Sequence, residues 1–147
     1  MVIAIKYFDM FSGIGGFRSG LEQAGGFECV GFCEIDPYAA AAYKALYNTE
    51  KEAYYSDITR IDTAEMPDFD LLVGGLPCQP YSVASADRKG LDDPRGALFF
   101  EFARILKDKQ PAAFCIENVR GLLSHKKGES YRQILLTLSE LGYIIEW

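Results

Sequence analysis

Short apolar runs alternate along this chain with segments whose apolar residues recur every three or four positions, and that alternation restricts it to βαβ units around a parallel sheet. Residues 3–8 read as a first strand. The turn Phe11-Ser12-Gly13-Ile14-Gly15-Gly16 follows, then a helix that places Phe17, Leu21 and Ala24 on one face and stops at Gly25-Gly26. Residues 29–33 read as the second strand. Asp36-Pro37 joins a helix-capping carboxylate to a proline at the first helical position, which predicts a helix through the alanine run to Asn48. Residues 53–55 form a short third strand, residues 69–73 a buried fourth and residues 112–116 a fifth. Between the fourth and fifth lie an irregular stretch, residues 79–95, and a helix over residues 96–108 carrying Leu98, Phe99, Phe102, Ile105 and Leu106. A last helix starts near Glu129 with Tyr131, Ile134, Leu135, Leu138 and Leu141 on one stripe, and Gly142 fits the position beyond its end. Residues 143–147 read as a sixth strand. A chain of 147 residues, 49% of them apolar, suits one domain of this kind.

Ligands in a doubly wound sheet bind beyond the carboxyl ends of the strands, near the point where strand order reverses. In this reading the glycines follow strand one, Glu34 strand two, Asp57 strand three, Cys78 strand four and Glu117 strand five, so five polar features share one rim. Gly13, Gly15 and Gly16 allow a tight turn and close backbone approach, and the next helix offers free amides to an anion. The dinucleotide fingerprint G-x-G-x-x-G would need a third glycine where Arg18 stands. The turn therefore suits a small carboxylate, such as that of a methionine moiety, better than a pyrophosphate, although glycines at a turn also serve turn geometry alone. Glu34 is placed to accept from a ribose diol and Asp57 from an adenine amino group. Strand-end carboxylates also cap helices, the role Asp36 takes here.

Cys78 stands in Pro77-Cys78-Gln79-Pro80, where prolines on both sides forbid regular structure just past a buried strand. Such a thiol is displayed, and becomes a nucleophile where amides or cations lower its pKa; the other reading is a loop cysteine without chemistry. Cys115, inside the fifth strand, reads as a buried structural thiol. Four cysteines and the single His125 match no zinc spacing, so no metal is expected and the thiols read as free. A net charge of -6 argues against holding nucleic acid by bulk electrostatics. The N-terminal apolar stretch is too short for a signal peptide and no run is long enough to span a bilayer, so a cytoplasmic setting is expected.

Asp9-Met10-Phe11-Ser12-Gly13-Ile14-Gly15-Gly16-Phe17-Arg18, then Gly75-Leu76-Pro77-Cys78-Gln79-Pro80-Tyr81-Ser82, then Glu117-Asn118-Val119 closely resemble the ordered motifs of DNA cytosine-5 methyltransferases. The resemblance takes in Ser56-Asp57-Ile58-Thr59 and Asp93-Pro94-Arg95-Gly96-Ala97-Leu98-Phe99-Phe100 as well, and covers nearly the whole chain. It implies a Rossmann-like methyltransferase fold that is C-terminally incomplete, with residues 1–147 as the N-terminal part of the catalytic and cofactor-binding domain. S-adenosylmethionine is the implied cofactor and double-stranded DNA the implied partner, in a prokaryotic or phage restriction-modification setting. By this resemblance Phe11 would stack on the adenine, and Ser12, Gly13, Ile14, Gly15 and Gly16 would hold the methionine part. Glu34 would take the ribose, Asp57 the adenine amino group, and Ile35, Ile58 and Leu98 would supply apolar walls. Cys78 would attack carbon 6 of a flipped-out cytosine, activating carbon 5 toward the methyl group. Glu117 would contact ring nitrogen 3 and the amino group, donating a proton only if burial raises its pKa. Pro77, Gln79, Ser82, Asn118, Val119, Arg88 and Arg95 would complete the substrate side, the last two in a loop resembling the family's mobile one.

Tyr81 departs mildly from the phenylalanine usual in the family. The larger departure is that the family continues with an arginine-bearing motif, a target-recognition domain and a final cofactor motif absent from these residues. The recognised DNA sequence is therefore not legible. In the family a seventh strand inserts between the fifth and sixth, so residues 143–147 are expected to be frayed, repositioned or paired with another chain. An expressed fragment, one subunit of a split methyltransferase and a degenerate remnant all fit. The alternative functions are a non-catalytic cofactor-binding module and, disfavoured by Arg18, a nicotinamide oxidoreductase.

Overall fold

The structure is a computed structural model that describes residues 4–77 and 96–147. The expectations for Cys78, Gln79, Ser82, Arg88 and Arg95 fall outside the described residues. Five parallel strands, β1 (Ile5–Met10), β2 (Phe27–Cys33), β3 (Ala53–Tyr55), β4 (Leu71–Gly75) and β5 (Ala113–Glu117), form one sheet in the order β3-β2-β1-β4-β5. The order reverses between β1 and β4. That is where the expected doubly wound fold places a ligand crevice.

Alternate residues of β1 face opposite layers. Phe8 and Met10 join Leu72 in a core closed by Phe99, Phe102, Ile105 and Leu106 of α3 (Leu98–Lys109) and by Ile134 and Leu138 of α5 (Glu129–Glu140). Tyr7 and Asp9 face the other way, toward α1 (Gly16–Ala24) and α2 (Pro37–Leu46), where the Tyr43 ring stacks on Phe32 at 4.2 Å between centroids. Helices on both faces bury the sheet twice, which is why its strands read as apolar runs. A short helix, α4 (Gly121–Ser124), and 3-10 turns at Ile58–Arg60, Thr63–Glu65 and His125–Gly128 join these elements and were not anticipated from sequence.

Three expectations need correction. The inward-facing residue of α1 is Arg18; Phe17 and Leu21 are only half-buried and Ala24 is exposed, because α1 lies over a polar patch of the sheet. Cys115 is exposed, since β5 is an edge strand. Residues 143–147 form no strand among the described residues, so the sixth-strand reading gives way to the expectation that they are frayed or repositioned. Gly142 does end α5 in the left-handed region, at φ 93°. Beyond it Tyr143 donates to the Pro111 carbonyl at 2.8 Å and meets Phe114 edge-on, while Ile144 and Trp147 remain exposed. A cleft of about 610 Å³ separates residues 112–114 from residues 142–146, where a further strand could pair with β5.

Candidate active site

Parallel pairing brings the strand ends into line. Met10 of β1 sits opposite Cys33 of β2 and Gly74 of β4, Cys33 opposite Tyr55 of β3, and Gly75 opposite Glu117 of β5. The glycine turn, Glu34, Asp57, Pro77 and Glu117 therefore follow one edge of the sheet. With strands ~4.8 Å apart, the turn after β1 and Glu117 after β5 are about 10 Å apart across β4.

The turn is held open by its own backbone. Phe11, Gly13 and Gly15 take φ of 55°, 54° and 97°, and a Cβ at Gly13 or Gly16 would meet nothing within 4 Å. The Ser12 amide donates to the Cys33 carbonyl at 3.0 Å and the Gly13 amide to Glu34 Oε2 at 2.7 Å. Glu34 Oε1 accepts from the Asp36 amide at 2.8 Å. Each carboxylate oxygen thus keeps a further lone pair for a diol while the residue latches the β1 and β2 loops together. The Ser12 hydroxyl is buried without a hydrogen-bond partner, an orphan polar atom that a ligand in the turn would satisfy.

The remaining cofactor candidates divide. Ile14 and Ile35 are exposed and Phe11 and Leu98 half-buried, so all four are available to an apolar ring. Ile58 is 4% exposed and belongs to the core, leaving it only an edge to offer. Asp57 caps the turn that follows it: its Oδ1 accepts from the Thr59 amide at 2.9 Å and the Thr59 hydroxyl at 2.8 Å. Those bonds hold its pKa below the usual carboxylate range. Asp36 caps α2 as expected, accepting from the Tyr38 and Ala39 amides at 2.8 and 3.1 Å.

At the other half of the rim, the Leu76 amide donates to the Glu117 carbonyl at 3.1 Å, so Pro77 leaves β4 beside Glu117. Glu117 Oε2 lies 3.3 Å from where a Cβ on Gly75 would stand, so the carboxylate lies close against the β4 backbone. Glu117 is exposed. Asn118 Oδ1 accepts from the Val119 amide at 2.7 Å while its Nδ2 is buried without a partner. Val119 packs against the core. Burial pushes the Cys29 thiol up to about 11 and the Cys33 thiol up to about 12, and partial desolvation by its neighbours raises that of Cys115 even though its surface is exposed. All three are thus poor nucleophiles near neutrality. Among the described residues no cluster of metal-ligating side chains is present, and no helix is long and apolar enough to cross a membrane.

Sequence reasoning missed one group behind the turn. Arg18 is buried, pairing with Glu52 at 2.7 Å and Glu22 at 2.8 Å, and its Nη1 donates to the Tyr43 hydroxyl at 3.4 Å. That hydroxyl donates in turn to Asp9 Oδ2 at 3.2 Å. The one available signal was an arginine on a helix with few apolar residues.

A β3-β2-β1-β4-β5 parallel sheet with a glycine turn after β1 and an acid after β2 defines the Rossmann-like fold of S-adenosylmethionine-dependent methyltransferases. It superposes on the crystal structure of the S. pombe Dnmt2 methyltransferase with a TM-score of 0.65 and 25% identity, covering 90% of this chain and 40% of that one. Residues 5–147 match the C-5 cytosine-specific DNA methylase family, and the chain belongs to it. Similar proteins include the orphan methyltransferase M.SPRI of Bacillus phage SPR, 46% identical over 143 residues, and the type II methyltransferase M1.ScrFI of Lactococcus lactis subsp. cremoris, 49% identical over 138. The two alignments cover 97% and 94% of this chain but 32% and 34% of the relatives, so the chain spans about a third of their length.

Proposed function

We propose that this chain supplies the nucleophile, the cofactor cradle and a base-contacting acid for methylation of cytosine carbon 5 in duplex DNA. The observation that carries the proposal is the shared rim: the open turn with its orphan Ser12 hydroxyl ends one strand spacing from the β4 loop that leads into Cys78. S-adenosylmethionine, when bound, supplies an electrophilic methyl group. The Ile14 and Gly16 amides, left over by the internal bonds of the turn, and the Ser12 hydroxyl would hold its carboxylate end, Glu34 its ribose, and Phe11, Ile14, Ile35 and Leu98 its ring. Asp57, its Oδ1 already engaged by Thr59 and its Oδ2 in a loose ion pair with the exposed Arg60 at 3.7 Å, would offer Oδ2 to the adenine amino group.

On the base, the Cys78 thiolate adds to carbon 6, and the electron pair displaced to carbon 5 takes the methyl group. Loss of the carbon 5 proton then expels the thiolate and restores the ring. Glu117 stabilises the adduct by contact with nitrogen 3 and the amino group. Pro77, Gln79, Ser82, Asn118 and Val119 shape the base side, and Arg88 and Arg95 contact DNA. Reading of base edges comes from polypeptide beyond these residues, in the same chain or a partner subunit that completes the sheet at β5.

Duplex bearing 5-fluorocytosine tests this, because fluorine blocks the final elimination. With a C-terminal part from a relative supplied, a covalent adduct should form in the presence of S-adenosylmethionine and vanish in Cys78→Ala. Methyl-donor binding without any adduct or methylated product would instead favour a non-catalytic cofactor-binding module.

A further inference from the structure

The glycine turn has a back as well as a front. On the back, a Cβ placed on Gly15 would stand 2.5 Å from Tyr47 Cε2, and the Tyr47 hydroxyl donates to the Gly15 carbonyl at 3.1 Å. The guanidinium of Arg18 lies 4.4 Å from the centre of the Tyr47 ring and 5.3 Å from that of Tyr43. Glu52, its side chain 8% exposed, fixes the guanidinium from the segment preceding β3. Four parts of the chain thus meet on one cation: the first turn of α1, the end of α2, the approach to β3, and, through Tyr43, Asp9 of β1.

We propose that Arg18 and Tyr47 are positioning residues for the cofactor turn: the arginine, clamped by Glu52, seats the tyrosine ring against Gly15 and so fixes the backbone of the Ser12–Gly16 turn, including the Ile14 and Gly16 amides that its internal bonds leave over. The inference rests on the reading of that turn as the cofactor's cradle. Neither side chain needs to touch the ligand. A planar cation suits the task, because it can stack on one ring while its edges bind two carboxylates. Lysine could keep the charge but not that geometry. Hydrogen bonds to Cys33 and Glu34 hold the front of the turn, but Gly13 and Gly16 have no neighbour where a side chain would be, so packing comes only from behind, at Gly15. Without the clamp its amides would sample other directions, and order would have to be restored on binding. Arg18 stands where a dinucleotide fingerprint has its third glycine, so the inward side chain also explains why this turn departs from that pattern.

The test is calorimetric titration of the chain with S-adenosylmethionine and its demethylated product, alongside thermal melts and glycine amide spectra. Tyr47→Phe removes one hydrogen bond and leaves the stack; Arg18→Lys removes the stack and the fork. Affinity should fall about threefold to tenfold in the first and more than tenfold in the second, with Tyr47→Leu worse than Tyr47→Phe. In Tyr47→Phe the melting temperature should stay within about 3 °C of the parent, while the Gly13, Gly15 and Gly16 amide resonances move and those of β4 and β5 do not. Unchanged affinity in folded Tyr47→Phe and Tyr47→Leu would overturn the inference, as would losses matching only the loss of folded protein. Failure of the parent chain to bind either ligand would instead sink the cradle reading on which it rests.

Discussion

At the scale of single residues, Asp9 is a buried carboxyl at odds with its surroundings. Burial, only partly offset by the Tyr43 hydroxyl and by Arg18, and reinforced by Glu34 and Glu52, pushes its carboxyl from 3.8 up to about 7. A carboxyl that holds its proton more tightly when folded stabilises the fold at low pH. That contribution is lost as pH rises from about 4 to about 7, and it corresponds to ~4 kcal/mol. Asp9→Asn, which still accepts from Tyr43, should therefore flatten the dependence of melting temperature on pH across this window. Above pH 7.5 it should melt no lower than the parent. A parent whose stability rises over the same window would contradict the assignment. Arg18 shows how the sequence can hide such a residue: periodicity marks apolar faces, and here the buried position is ionic.

At the scale of elements, strand limits are set by partners. Sequence placed β1 at residues 3–8 and β4 at residues 69–73; the structure has Ile5–Met10 and Leu71–Gly75. The two strands pair over residues 7–10 and 71–74, carrying both toward the rim. Helix starts were easier to read where a local device fixes them. Asp36-Pro37 does this for α2, and that helix carries Tyr43 and Tyr47 to the glycine turn. Asp36→Ala leaves two first-turn amides without their acceptor and should cost ~1 kcal/mol, lowering the melting temperature by roughly 2–4 °C. Because the α2 aromatics back the turn, binding of S-adenosylmethionine should recover part of that loss in a melt, by mass action on the folded state. An unchanged melting temperature would show that the cap bonds carry no weight.

At the scale of the molecule, the sheet is open beyond β5 among the described residues. Its outer edge faces the cleft bordered by residues 142–146, and Trp147, 87% exposed, touches Tyr131 at 5.7 Å between ring centres. It is the sole tryptophan of the sequence, which makes the edge observable. In the chain alone its emission should be quenched by acrylamide nearly as readily as free indole. Adding a C-terminal part from a relative should shift the emission to the blue and slow the quenching. Protection in the chain alone would mean that Trp147 is already docked.

What the sequence by itself determined is the βαβ order, the residue types at each strand end and the family. These depend on local periodicity, on turn chemistry and on motifs contiguous in the chain. Only the tertiary structure decided which side chains serve that edge from behind. Arg18, Tyr47, Glu52 and Asp9 come from four separate parts of the chain with no shared local pattern, and they meet because two helices cross the sheet face opposite the apolar core. The exposure of Cys115 and the unpaired residues 143–147 have the same kind of cause. Both depend on whether a neighbouring strand is present; the resemblance to the family gave that expectation for residues 143–147, but nothing local to Cys115 gave it for β5.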